Sequence, residues 1–210
     1  MSRTLSLKNL YAKKFDTFKF EGFYKKIFGT PESNGIWLIY GKEKNGKTWF
    51  SLKFAEYLSQ FAKTLYLSIE EGTGKDFVEA CRRAKLNPEN GNLQFLEYIT
   101  NEQLNKKLKM RNAARIVFID NVTVYQDDLK YGKLKKLSDD NPKVLFVYIA
   151  HEEKKEPYTA TAKMAKKIAK IIVNIDGLAC FVAGRCPGGV ISINEEKAML
   201  YHGMEALKDK

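Results

Sequence analysis

Gly41 to Thr48 read GKEKNGKT: Gly at the first and sixth places, Lys at the seventh and a hydroxyl at the eighth, a pattern that constrains this chain more than any other feature. Ahead of it, the apolar run Ile36-Trp37-Leu38-Ile39-Tyr40 has the length and composition of a buried parallel strand. Behind it, apolar Phe50, Phe54, Leu58 and Phe61 keep helical spacing. Strand, tight loop and helix in that order predict an α/β fold with a mostly parallel sheet.

Each residue type in the octet has its own chemical reason. Gly41 and Gly46 let the backbone bend so that successive N–H groups face one concavity, set on the positive end of a helix dipole where an anion is favoured. Lys47 adds a mobile point charge suited to β and γ phosphates, and the Thr48 hydroxyl is placed to ligate Mg²⁺. Candidate nucleotide contacts are therefore Gly41, Lys42, Glu43, Lys44, Asn45, Gly46, Lys47, Thr48 and Trp49. An ordinary glycine-rich turn would leave the Lys-Thr pair unexplained.

At 210 residues the chain suits one α/β domain with a substantial core, and 44% hydrophobic with 29% charged residues describe a globular protein. No apolar run approaches the ~20 residues of a membrane span, and MSRTLSLKNL lacks the apolar stretch of a secretory signal, so a cytoplasmic protein without membrane contact is expected. The excess of 36 Lys+Arg over 25 Asp+Glu, a net charge of +11, supports contact with polyanions, although many lysines are expected simply to solvate helix faces. Cys81, Cys180 and Cys186 show no metal-ligand spacing and read as reduced structural thiols.

In chain order, residues 1–34 read as an N-terminal leader packed on a domain of residues 35–210, its aromatics covering the sheet rather than stacking bases. A second strand, Lys63 to Ile69, ends in Glu70 and Glu71, and acids at a strand's carboxyl end lie where an open α/β sheet binds ligands. A carboxylate there can polarise the water that attacks a γ-phosphate. A helix from Lys75 to Lys85, a short strand near Leu93 to Tyr98 and a basic helix around Glu102 to Met110 follow. Ala114 to Asp120 is a buried strand ending in an acid, the Walker B pattern that holds the Mg²⁺ shell. Residues 121–137 read as a loop, Val144 to Ala150 as a strand closed by His151, and 152–170 as a polar loop running into a helix. Ile171 to Ile175, Leu178 to Gly184, Val190 to Ile193 and Met199 to Tyr201 read as C-terminal strands and hairpins.

With these motifs in order, the chain resembles the RecA-like ATPases, particularly the DnaB-type helicase and RadA-type recombination branch, over about residues 30 to 200. The resemblance implies ATP and Mg²⁺ as ligands. It maps the family's aromatic-x-Ser-x-Glu onto Tyr66, Ser68 and Glu70, making Glu70 the general base with Glu71 second, and assigns Asp120 to the metal beside Thr48. His151 falls where relatives carry a γ-phosphate sensor, and Arg185 where they carry an arginine that reaches a neighbouring subunit's nucleotide; the accompanying lysine is replaced by Ala183. It further implies a homo-oligomer, hexamer or filament, acting on single-stranded DNA through the basic segments 130–136 and 154–170. A nucleotide or small-molecule kinase and a hydrolysis-deficient accessory protein are the alternatives.

Overall fold

The computed structural model describes residues 4–206. The chain runs α1 (Leu7–Tyr11), α2 (Gly22–Phe28), β1 (Gly35–Gly41), α3 (Lys47–Leu58), β2 (Thr64–Ser68), α4 (Lys75–Arg83), β3 (Leu93–Leu96), α5 (Asn101–Leu108) and β4 (Ile116–Asp120). It continues through α6 (Gln126–Leu129), α7 (Lys133–Asp140), β5 (Leu145–Glu153), β6 (Glu156–Pro157), α8 (Ala160–Ile168), β7 (Ile171–Asp176), β8 (Ala179–Gly184), β9 (Gly189–Ser192) and α9 (Glu195–Ala206).

The strands form one sheet in the order β3-β2-β4-β5-β1-β7-β8-β9, with β6 paired to the end of β5. From β3 to β7 all neighbours are parallel, and β8 and β9 then add antiparallel. The apolar run 36–40 therefore lies in mid-sheet between β5 and β7, where both faces are covered. Its alternation divides the core. Trp37 and Ile39 pack with Phe54, Phe118 and Val147 on one face, and Ile36, Leu38 and Tyr40 with Val117, Phe146 and Tyr148 on the other.

The N-terminal segment packs on this core from Phe18 onward. Phe18 and Phe20 stack and meet Phe61 of the turn after α3, and Phe28 stacks on Trp37 and Phe54. Residues 4–17 are exposed, and α1 buries no side chain.

Two expectations are corrected. Residues 121–137 hold the short helix α6 and the start of α7 rather than a loop; Gly132 supplies the left-handed N-cap of α7 at φ 81, and Leu129, Leu134 and Leu137 bury against the sheet. Met199 to Tyr201 is helical, within α9, not a strand. Glu195 and Glu196 favour the positive end of that helix, and Ala198 is its buried contact point.

Candidate nucleotide site

The carboxyl ends of four neighbouring strands carry the sequence-predicted site. Ser68 pairs with Asp120, Asp120 with Ile149, and His151 with Gly41, so Glu70, Asp120, His151 and the phosphate loop follow one another along one sheet edge. That edge is where open α/β sheets bind ligands.

The loop's two glycines are required for close approach. A Cβ on Gly41 would stand 2.1 Å from the Ile175 carbonyl, and Gly46, at φ 92, faces Ile193 and Leu178. The Asn45 side chain accepts a bond of 3.1 Å from the Gly177 amide, tying the loop to the β7–β8 turn. Lys47 is the first residue of α3 and is 7% exposed, its ammonium donating to the Lys42 carbonyl at 2.7 Å. It joins no ion pair among the described residues. Burial lowers its pKa below the ordinary value, while Asp120, Glu70, Glu43 and Glu152 pull it back up. A buried cation whose bonded partner is a neutral carbonyl is suited to an incoming phosphate.

Asp120 is the complementary case. Burial pushes its carboxyl up to about 6, with Glu70 and Glu71 adding to the rise and the Tyr66 hydroxyl, which donates to it at 2.6 Å, opposing it. A desolvated carboxylate with one hydroxyl donor fits a cation. Among the described residues no cluster of three or more His, Cys, Asp or Glu could cage a metal by itself. Mg²⁺ suits such a setting, since it is commonly held by one or two protein oxygens with phosphates and water completing the shell. Asp120 and the Thr48 hydroxyl are the oxygens that would hold it.

Around the tips of β2, β4 and β5 stands a three-residue cluster. Asn121, 1% exposed, donates its amide N–H to one oxygen of Glu70, and His151 Nε2 lies 3.2 Å from the other. Asn121 Oδ1 accepts from the amides of Thr123 and Val124 at 2.8 and 3.2 Å, which fixes which end of its side chain faces the cluster. Nε2 is also 2.8 Å from the Asn121 amide nitrogen, so the imidazole can either accept from Asn121 or donate to Glu70. Among the described residues His151 Nδ1 is buried without a partner. The bond to His151, before any other cause, holds the Glu70 carboxyl below the usual carboxylate range.

Glu71 is not part of this cluster. It lines a cleft of about 540 Å³ with Lys44, Lys47, Thr48, Trp49 and Arg83, and burial first, then Glu70, raises its carboxyl. Arg185 stands away from all of these. It is exposed, and its amide bonds to the Lys170 carbonyl at 2.7 Å. Gly184 pairs with Ile171, which pairs with Trp37, four residues below Gly41 or roughly 13 Å along the strand. Arg185 therefore cannot serve its own chain's loop.

Sequence reasoning did not single out Asn121 as a site residue, because an amide neither titrates nor belongs to the phosphate-loop pattern; its place directly after Asp120 was the available signal. The bond of 2.9 Å from Asn174 to Glu152, one residue beyond His151, was likewise not foreseen. The segment 130–136 is largely paired on its own helices, Lys130 with Asp127, Lys135 with Asp139 and Lys136 with Asp140. Among the described residues no helix is long and apolar enough to cross a membrane.

The sequence matches no protein-family model and no curated protein. Solved structures do match. The flagellar accessory protein FlaH from Methanocaldococcus jannaschii superposes with a TM-score of 0.58 at 15% identity, over 86% of this chain and 96% of that one. A second solved structure, an isolated ATPase domain, gives 0.53 at 15% identity, over 79% and 83%. A KaiC-like protein from Pyrococcus horikoshii gives 0.58 at 16% identity, over 79% and 84%. With the glycine-rich loop on a central strand, acids on the neighbouring tips and these superpositions, the chain has a RecA-like α/β fold.

Proposed function

We propose that this protein binds ATP with Mg²⁺ and hydrolyses it, and that turnover is coupled to single-stranded DNA in a homo-oligomer. The observation that carries the ATPase reading is the Glu70–Asn121–His151 cluster at the strand tips beside Asp120 and the Lys47 loop. Lys47 and the loop amides bind the phosphates, Asp120 and Thr48 would hold the metal, and Glu70 takes the proton of the attacking water. Bound Mg²⁺ would neutralise charge on the phosphate oxygens. Asn121 aims the Glu70 carboxylate, and His151, with its choice between Asn121 and Glu70, reports what occupies the crevice. The net charge of +11 supports the DNA partner, and an exposed Arg185 remote from its own loop is free to act on a neighbouring subunit's nucleotide.

One observation favours the accessory alternative: both oxygens of Glu70 are engaged, so without release of one of them ATP would be held and not cleaved. ATP turnover with and without single-stranded DNA separates the readings. Phosphate release stimulated by DNA supports the proposal, while tight ATP binding without turnover replaces it with the accessory role.

A further inference from the structure

The +11 charge is not spread evenly, and much of the lysine-rich sequence is neutralised locally: Lys130, Lys135, Lys136 and Lys166 all sit in ion pairs. A denser group of cations lies at the opposite edge of the sheet, where the parallel strands begin. Lys63 precedes β2, Arg115 precedes β4 and Lys143 stands two residues before β5, on three adjacent strands about 4.8 Å apart. Two clefts open there. One, about 440 Å³, has Lys19, Arg115 and Lys143 against a single carboxylate, Asp16. The other, about 200 Å³, has Lys63, Lys107 and Arg111 and no carboxylate. A residue of each is joined by a backbone bond, the Arg115 amide of the first donating to the Lys63 carbonyl of the second at 2.9 Å. None of these six cations is in an ion pair among the described residues.

We infer that this edge binds the phosphodiester backbone of a single-stranded nucleic acid. Six unpaired cations in one field give a site for several consecutive phosphates. Apolar surface is interleaved with them: Met110 is 67% and Phe61 38% exposed beside the cations, surface on which unpaired bases can rest but paired bases cannot. An acidic protein would answer the charge but has no equal use for that interleaving. The inference rests on the proposed DNA partner and specifies where the strand lies: at the strand starts, across the sheet from the phosphate loop.

The test is fluorescence anisotropy of a labelled thymidine 20-mer titrated with the full chain over a range of salt. Three proteins are compared: wild type, the quadruple variant Lys63→Ala/Arg111→Ala/Arg115→Ala/Lys143→Ala, and Lys154→Ala/Lys155→Ala, with thermal melting as the check on folding. The quadruple variant should bind roughly tenfold or more weakly, with a salt slope shallower by about 3, from ~0.7 for each phosphate no longer neutralised. Lys154→Ala/Lys155→Ala should bind as wild type does. Normal binding by the quadruple variant with loss in Lys154→Ala/Lys155→Ala overturns the location and leaves the DNA reading standing. No binding by wild type overturns the DNA reading and this inference with it. Displacement of the oligomer by a polyglutamate peptide as readily as by unlabelled DNA overturns the nucleic-acid assignment. Should the quadruple variant melt early, each single substitution is measured, and an unchanged slope in all four has the same force.

Discussion

The side-chain amide nitrogen of Asn121 stands 2.8 Å from Nε2 of His151, and the Glu70 carboxylate touches both. An amide thus orients the carboxylate assigned to the water. Asn121→Ala should lower kcat for ATP by roughly 10- to 100-fold with little change in KM, since the phosphate loop is untouched. The variant also leaves the Thr123 and Val124 amides without their acceptor, so a stability loss of about 1–3 kcal/mol is expected in chemical denaturation. Unchanged kcat in a destabilised variant would assign Asn121 to the turn alone.

Glu70→Gln should leave ATP bound and slow hydrolysis by roughly 100-fold or more, the scale of removing a positioned base. Glu71→Gln should retain most turnover, because that side chain, although it lines the cleft with Lys47 and Thr48, is outside the Glu70–Asn121–His151 cluster. Binding curves and turnover for both variants check this; inactivity confined to Glu71→Gln would exchange their roles.

Lys47→Ala removes the buried ammonium donating to the Lys42 carbonyl and should abolish ATP binding. Because burial already lowers that amine's pKa, the fold should melt at or slightly above the wild-type temperature. Wild-type turnover by this variant would end the ATPase reading.

Asp120 gives a pH dependence of definite sign. Its carboxyl is raised to about 6 from an ordinary 3.8, so between those values the folded chain holds the extra proton, and stability falls as pH rises through the window. Asp120→Asn should therefore stabilise the metal-free fold at pH 7, by about 2–3 kcal/mol, while Mg²⁺-dependent hydrolysis is lost. Glu70, shifted downward, contributes with the opposite sign: its stabilisation is fully present above the unfolded pKa and is lost as pH falls through the folded one. Denaturation at pH 4.5 and 7 for wild type and Asp120→Asn is the measurement; an identical pH response in both sinks the assignment.

Gly41→Ala sets a Cβ 2.1 Å from the Ile175 carbonyl, a backbone atom of the neighbouring strand that cannot swing aside as a side chain could. The expected cost is roughly 3 kcal/mol or more, read as a drop of about 6–12 °C in melting temperature. A near-neutral variant would mean that β1 and β7 can separate locally.

What the sequence disclosed follows from which forces act locally. Strands β1, β2, β4 and β5 were legible because strands covered on both faces read as unbroken apolar runs, and the phosphate loop because its fixed positions each have a chemical reason. Helices α6 and α7 were not, since only 4 and 8 residues long they owe their conformation to Leu129, Leu134 and Leu137 docking on the sheet, a tertiary effect. Met199-Leu200-Tyr201 misled because an apolar triplet has no period, and all three prove exposed on α9. Lysine counts hid the pairing on α6 and α7, which depends on spacing of three and four residues rather than on composition.

The loop's anchorage in the β7–β8 turn bears on synthesis. Gly41 to Thr48 leave the ribosome long before their partners: Gly41 abuts Ile175, Asn45 bonds Gly177, Gly46 faces Leu178 and Ile193, and His202 bonds the Asp176 carbonyl behind them. The strand that carries the loop needs β5 and β7, more than a hundred residues later, as its neighbours. At ~5–20 residues per second, the nascent chain spends several seconds with this apolar strand unpaired on both edges. The candidate site can therefore close only after β7 and the β7–β8 turn have been made, and until then the loop's flanking strand stays open to solvent.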